Sequence, residues 1–119
     1  MIHEEICTYE VAKLAKEKGF NEKCYFCYQN GVLLEIDECF NQVDSVCSAP
    51  TQSLLQRWLR EEKAIAIVLQ PYSYNIQRSI YTWIYEIWAD NNLEKTSKSF
   101  KTYEQALEDA LKYSLENLV

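Results

Sequence analysis

The residues with the most chemical potential in this chain are its five cysteines, Cys7, Cys24, Cys27, Cys39 and Cys47. Cys24-Tyr25-Phe26-Cys27 has the C-x-x-C spacing. With Cys39 and Cys47 it offers four thiolates, the number a structural zinc takes. The rest of the pattern fits zinc poorly. Seven residues lie between Cys39 and Cys47, too many for a zinc knuckle, and no Gly follows either pair to turn the chain around an ion. Cys24–Gln29 also reads as a strand, in which residues three apart point to opposite faces, so Cys24 and Cys27 are not expected to share a metal. A thioredoxin-like role needs the motif at a helix N-terminus after a strand, not inside one. The expectation is buried structural thiols, with no metal and no cofactor.

Other catalytic constellations are thin. His3 is the only histidine, so any Cys–His or Ser–His pair has to use it, and it sits near a chain end. Asp37-Glu38, Glu61-Glu62 and Glu108-Asp109 are adjacent acids. General acid–base work needs two carboxylates in unlike environments, whereas neighbouring acids on a helix ordinarily form a solvated face. The two glycines, Gly19 and Gly31, each fall at a turn, which leaves none for a phosphate-binding loop. No catalytic residue is assigned, and the chain is not expected to be an enzyme.

The aromatic residues Tyr72, Tyr74, Tyr81, Trp83, Tyr85 and Trp88 are the remaining resource. Most should build the inner face of a sheet. Tyr72, Tyr74 and Trp88 fall off that face or in a loop, and with Arg78 they form a candidate contact patch for another protein. Stacking of single-stranded nucleic acid is the rival use.

Charge weighs against that rival. The net charge is −6, and an acidic surface repels phosphate backbones. Arg57, Arg60, Lys63 and Arg78 are the basic residues a nucleic-acid patch would draw on, but no run of Lys or Arg brings them together. The helix containing Glu10-Val11-Ala12-Lys13-Leu14 is not followed by a recognition helix at helix-turn-helix spacing. A possible homodimer is compatible with the strand edges, though nothing in the sequence demands one.

The elements that must position these residues can be read from caps, turns and periodicity. Thr8 caps a helix to about Lys18, which Gly19 stops, with Phe20 placed to pack back on it. Cys24–Gln29 and Val32–Ile36 flank Asn30-Gly31, the strongest short hairpin signal. Asp37–Ser48 reads as a polar loop. Pro50 lies in a helix start that Ser48 or Thr51 caps. That helix runs to about Glu62, with Leu54, Leu55, Trp58 and Leu59 as its apolar stripe and Gln52, Gln56, Arg60 and Lys63 toward solvent. Ala64–Leu69 is a buried strand ended by Pro71. Ile80–Trp88 is a second strand, with Tyr81, Trp83, Tyr85 and Ile87 on one face and Ile80, Thr82, Ile84, Glu86 and Trp88 on the other. Asp90-Asn91-Asn92 turns the chain into a polar edge strand, Leu93–Phe100. Thr102-Tyr103-Glu104-Gln105 is a capping box opening the last helix.

The 119 residues suffice for one domain, and 48% of them are apolar, enough for a core. The predicted fold class is α+β: a mainly antiparallel sheet of four to five strands with about three helices packed on it, in the order α-β-β-α-β-β-(β)-α. There is no basic and apolar leader and no apolar run of bilayer length. A single cytoplasmic domain, 1–119, not associated with a membrane, is the expectation.

Thr8-Tyr9-Glu10-Val11-Ala12-Lys13-Leu14 with Glu17-Lys18-Gly19-Phe20 resembles the opening of a group of uncharacterised small proteins of Bacteroides-type gut bacteria and their phages and mobile elements. Ser48-Ala49-Pro50-Thr51-Gln52-Ser53-Leu54, continuing to Trp58-Leu59-Arg60-Glu61, is similar to that group's central signature, and Tyr103-Glu104-Gln105-Ala106-Leu107 to its last helix. The likeness implies a phage or mobile-element origin and carries no catalytic residue across. The expected function is that of a non-enzymatic accessory protein acting by protein–protein contact, with nucleic-acid binding as the alternative.

Overall fold

Three threonines start the three helices. Thr8, Thr51 and Thr102 each hold an extended backbone, and each hydroxyl accepts the amide N–H three residues on, from Val11 (3.3 Å), Leu54 (3.1 Å) and Gln105 (3.1 Å). The helices are α1 (Tyr9–Glu17), α2 (Gln52–Lys63) and α3 (Tyr103–Asn117). Among the described residues six strands lie between them: β1 (Cys24–Gln29), β2 (Val32–Cys39), β3 (Val46–Ser48), β4 (Ile65–Asn75), β5 (Ile80–Ala89) and β6 (Asn92–Thr96). This computed structural model describes residues 2–41, 44–75 and 80–119, and gives only the backbone of 37, 73–75, 80 and 81.

The fold is α+β and antiparallel throughout its described ladders. The strands form two sheets of three, ordered β2-β1-β3 and β4-β5-β6, rather than the one sheet of four to five expected. The extra strand is β3, in the segment read as a loop. Its polar flanks hid it, but Asn41 organises the approach: its amide donates to the Phe20 carbonyl and its side-chain oxygen accepts from the Ser48 amide, both at 2.8 Å. That places Val46–Ser48 alongside Gln29–Cys27 of β1.

The β1–β2 and β5–β6 turns use left-handed backbone. Asn30 and Gly31 have φ of 54° and 78°, and Asp90 and Asn91 have 52° and 65°. Gly19 ends α1 at φ 98°, and the Phe20 amide donates to the Ala15 carbonyl at 2.9 Å. Phe20 then meets Trp58 of α2 edge-to-face, with ring centroids 5.4 Å apart.

Two sequence readings need correction here. Pro71 does not end its strand; β4 runs on to Asn75. It is an edge strand, and an edge tolerates the missing N–H. Gln52 is buried rather than solvent-facing. Its amide nitrogen donates to the Glu104 carbonyl and to Glu108 Oε1, both at 2.9 Å, and so joins α2 to α3.

One hydrophobic cluster joins the elements. It takes Val11 and Ala15 from α1, Leu55, Trp58 and Leu59 from α2, Ile65 and Ile67 from β4, Tyr85 and Ile87 from β5, and Leu107, Ala110, Leu111 and Leu115 from α3. Four of the cysteines, Cys7, Cys24, Cys27 and Cys39, belong to it as well.

Candidate functional site

Alternation along β4 and β5 divides the second sheet into two unlike faces. Ile65, Ile67, Tyr85 and Ile87 turn into the core, and the Tyr85 hydroxyl donates to Asp109 Oδ2 of α3 at 2.6 Å. Burial and the Asp109 carboxylate both push the Tyr85 hydroxyl well above the ordinary range for a phenol. The opposite face carries Ala66, Val68, Gln70 and Tyr72 from β4, paired in turn with Trp88, Glu86, Ile84 and Thr82 of β5.

This outer face has an apolar end. Ala66, Trp88 and Leu93 form a row across three strands, and Val68 stands one rung along on the same side. Val68, Trp88 and Leu93 are exposed. In the middle of the face the Gln70 amide donates to Glu86 Oε1 at 3.2 Å. Tyr72 closes the other end, and the Thr82 hydroxyl donates to its carbonyl at 2.9 Å. An indole of which 37% remains accessible, on a sheet face that the helices leave open, is the kind of surface that binds a protein partner.

The structure places the sequence-derived patch only partly as expected. Tyr72 and Trp88 share this face, with Tyr72 54% exposed. They are six residues apart along the ladder, about 20 Å at the strand rise. They therefore mark two ends of a surface and do not touch. The side chain of Tyr74, and Arg78 altogether, lie outside the described residues. Val68 and Leu93 were missed. The signal for Val68 was the same alternation that singled out Trp88, continued across the ladder.

All five cysteines are free and buried. Cys24 and Cys27 are both buried in the core, where the sequence reading expected them on opposite faces of their strand. Burial pushes the Cys24 thiol up to about 11, more than the Ser48 hydroxyl pulls it down. Burial likewise raises Cys7, Cys39 and Cys47, and the neighbouring Cys27 thiol raises Cys39 further. Raised in this way, Cys7, Cys24, Cys39 and Cys47 hold their protons at neutral pH, which makes them poor nucleophiles. Among the described residues no three His, Cys, Asp or Glu side chains gather as a metal-holding group.

A cleft of about 400 Å³ opens between the N-terminal segment, β1 and the start of α2, lined by His3, Glu4, Lys23, Cys24, Tyr25 and Leu54 among others. It brings His3 and a thiol to one cavity, but the thiol is Cys24, held protonated by burial. The basic residues proposed for nucleic acid are interleaved with acids. Arg57 pairs with Glu61 at 2.6 Å, and Lys63 lies over the Trp58 ring at 5.3 Å. No described helix is long and apolar enough to cross a membrane.

No family model, no curated protein and no solved structure matches the chain.

Proposed function

We propose that this is a non-enzymatic accessory protein, cytoplasmic and of phage or mobile-element origin, that works by docking another protein on the open face of its second sheet. The observation that carries this reading is the Ala66–Trp88–Leu93 row with Val68 beside it, an apolar stripe left facing solvent on a sheet whose other face buries Ile65, Ile67, Tyr85 and Ile87 in the core. Burying such a stripe contributes about 25 cal/mol per Å² of apolar surface removed from water, and an indole at its centre is a typical anchor. The hydrogen-bonded Gln70–Glu86 pair offers polar atoms beside the stripe that can orient a partner.

The non-enzymatic part rests on the protonated thiols and on a lone imidazole without an activated nucleophile beside it. The nucleic-acid alternative has less support, since Arg57 is already engaged by Glu61 and the chain carries net charge −6.

The test is capture from a native host lysate followed by mass spectrometry. The wild-type chain is run beside a Val68→Ser/Trp88→Ser/Leu93→Ser variant. These three side chains are already solvent-exposed, so the variant should fold. A protein retained by the wild type and lost with the variant supports the reading. A set of partners unchanged by the variant, or the recovery of nucleic acid alone, contradicts it.

A further inference from the structure

The first sheet presents a second surface, independent of the one proposed above. Its order is β2-β1-β3, so β2 has an unpaired edge. Exposed edges invite another strand, and proteins blunt them with brevity, proline, bulges or charged side chains, lysine above all; β2 carries acids and a register shift in its second part, which leaves Val32–Glu35 as its regular stretch. The other described edges are blunted in these ways. β3 has three residues, β4 carries Pro71, and β6 has five residues, one of them Lys95. β2 is eight residues long and contains neither proline nor lysine. Val32, Leu33 and Leu34 at its start are 58%, 43% and 39% exposed, so both faces of its first three residues are apolar and accessible. Glu35, which follows them, and Glu38 near its end are also exposed.

We propose that the free edge of β2 is a docking site for an extended basic segment of another protein, added antiparallel as a further strand of the first sheet. Main-chain hydrogen bonds would supply affinity, and cross-strand side-chain pairs would supply selectivity. The antiparallel sense follows both existing ladders of this sheet. It fixes the order of the ligand. Its leading residues lie opposite Glu38 and Glu35 and carry Lys or Arg, and its trailing residues lie opposite Leu34, Leu33 and Val32 and are β-branched. A second copy of this chain is a worse occupant. Full antiparallel overlap of two β2 strands sets Leu33 against Glu38, an apolar group against a charge, between bodies that each carry net charge −6.

The test uses two blocked peptides of identical composition matched to the eight positions of β2. One has basic residues first and Val or Ile last; the other has the reverse order. Each is titrated into the full isotope-labelled chain while the amide resonances are followed. The expected result is that the basic-first peptide binds about tenfold tighter than its reverse, since two or three cross-strand pairs are at stake. The shifted amides should be those of Val32–Cys39. A Glu35→Lys/Glu38→Lys variant, altered only at exposed positions, should lose about tenfold for that peptide by the same reasoning. Equal binding of the two peptides overturns the proposal, because charge alone would then explain it. So do shifts confined to the second sheet, absence of binding, or an edge already closed by dimerisation of the free chain in sedimentation. The comparison of the two peptides on the wild type stands by itself if the variant fails to fold.

Discussion

Removing the Glu108 carboxylate should loosen the junction of all three helices at once. Its Oε2 accepts the Thr8 amide at 3.0 Å and the Thr8 hydroxyl at 2.7 Å, and its Oε1 accepts the Gln52 amide at 2.9 Å. Thr8 is the N-cap of α1, and Gln52 is the first residue of α2. The Thr8 bonds are solvent-exposed, so together they contribute only about 1 kcal/mol. Gln52 differs because it is buried. In Glu108→Ala its nitrogen keeps the Glu104 carbonyl, but its second hydrogen loses its acceptor, which costs about 2 kcal/mol. The sum is about 3 kcal/mol, a fall in Tm of about 12 °C for a chain of this size. Denaturant and thermal melts of Glu108→Ala and of the exposed control Glu116→Ala would measure it, with the control within about 0.5 kcal/mol of wild type. A double-mutant cycle with Gln52→Ala should return a coupling of about 1–2 kcal/mol. A loss no larger than the control's, or a coupling near zero, would refute the reasoning that Gln52 depends on this carboxylate.

Alkaline pH should unfold the protein early. Cys24 is raised to about 11 in the fold, and Cys7, Cys39 and Cys47 are raised too, so the folded state binds more protons than the unfolded chain above the ordinary thiol range. Stability is unaffected well below pH 9 and falls as pH rises from 9 toward 11, by up to about 1.4 kcal/mol per unit for each thiol held protonated. Urea melts at a series of pH values check this, and a flat profile from pH 8 to 10.5 would contradict it. Ala64 ends α2 in the left-handed region at φ 56°, a strain of about 1 kcal/mol for a residue with a Cβ, so Ala64→Gly should raise stability by several tenths of a kcal/mol or more. Gly31→Ala imposes the opposite change at φ 78°, where no neighbouring atom crowds the added Cβ, and should cost about 1 kcal/mol through backbone strain alone.

Local chemistry made much of this fold legible. Thr8, Thr51 and Thr102 announce helix starts because a hydroxyl in that position satisfies an amide the helix leaves open. Asn30-Gly31 announces a hairpin because both residues accept positive φ. What was not legible depended on contacts distant in sequence. β3 exists because Asn41 binds Phe20 and Ser48 across the intervening turn, a relation no periodicity records. Gln52 looked like a surface residue because glutamine usually is one, until α3 supplied two acceptors. The division into two sheets is set by which edges meet, and the burial of both Cys24 and Cys27 is set by what packs against β1.

The candidate surface was legible in part for the same reason. Alternation put Trp88 on the outer side of its strand, but only the β4–β5 and β5–β6 registers show that Ala66 and Leu93 flank it. Tyr72 belongs to the same face, though it is too far along the strand to act with Trp88 on one small ligand.

Whether that face meets a partner can be read from Trp88 itself. Trp58 is buried at 7% and Trp83 lies half-buried against Tyr103, so Trp88 dominates quenching of the protein's fluorescence by acrylamide. With the captured partner bound, the emission should move to the blue and the quenching constant should fall toward that of a Trp88→Phe variant. Unchanged emission and unchanged quenching in a saturated complex would mean that the partner sits elsewhere, and would contradict the account.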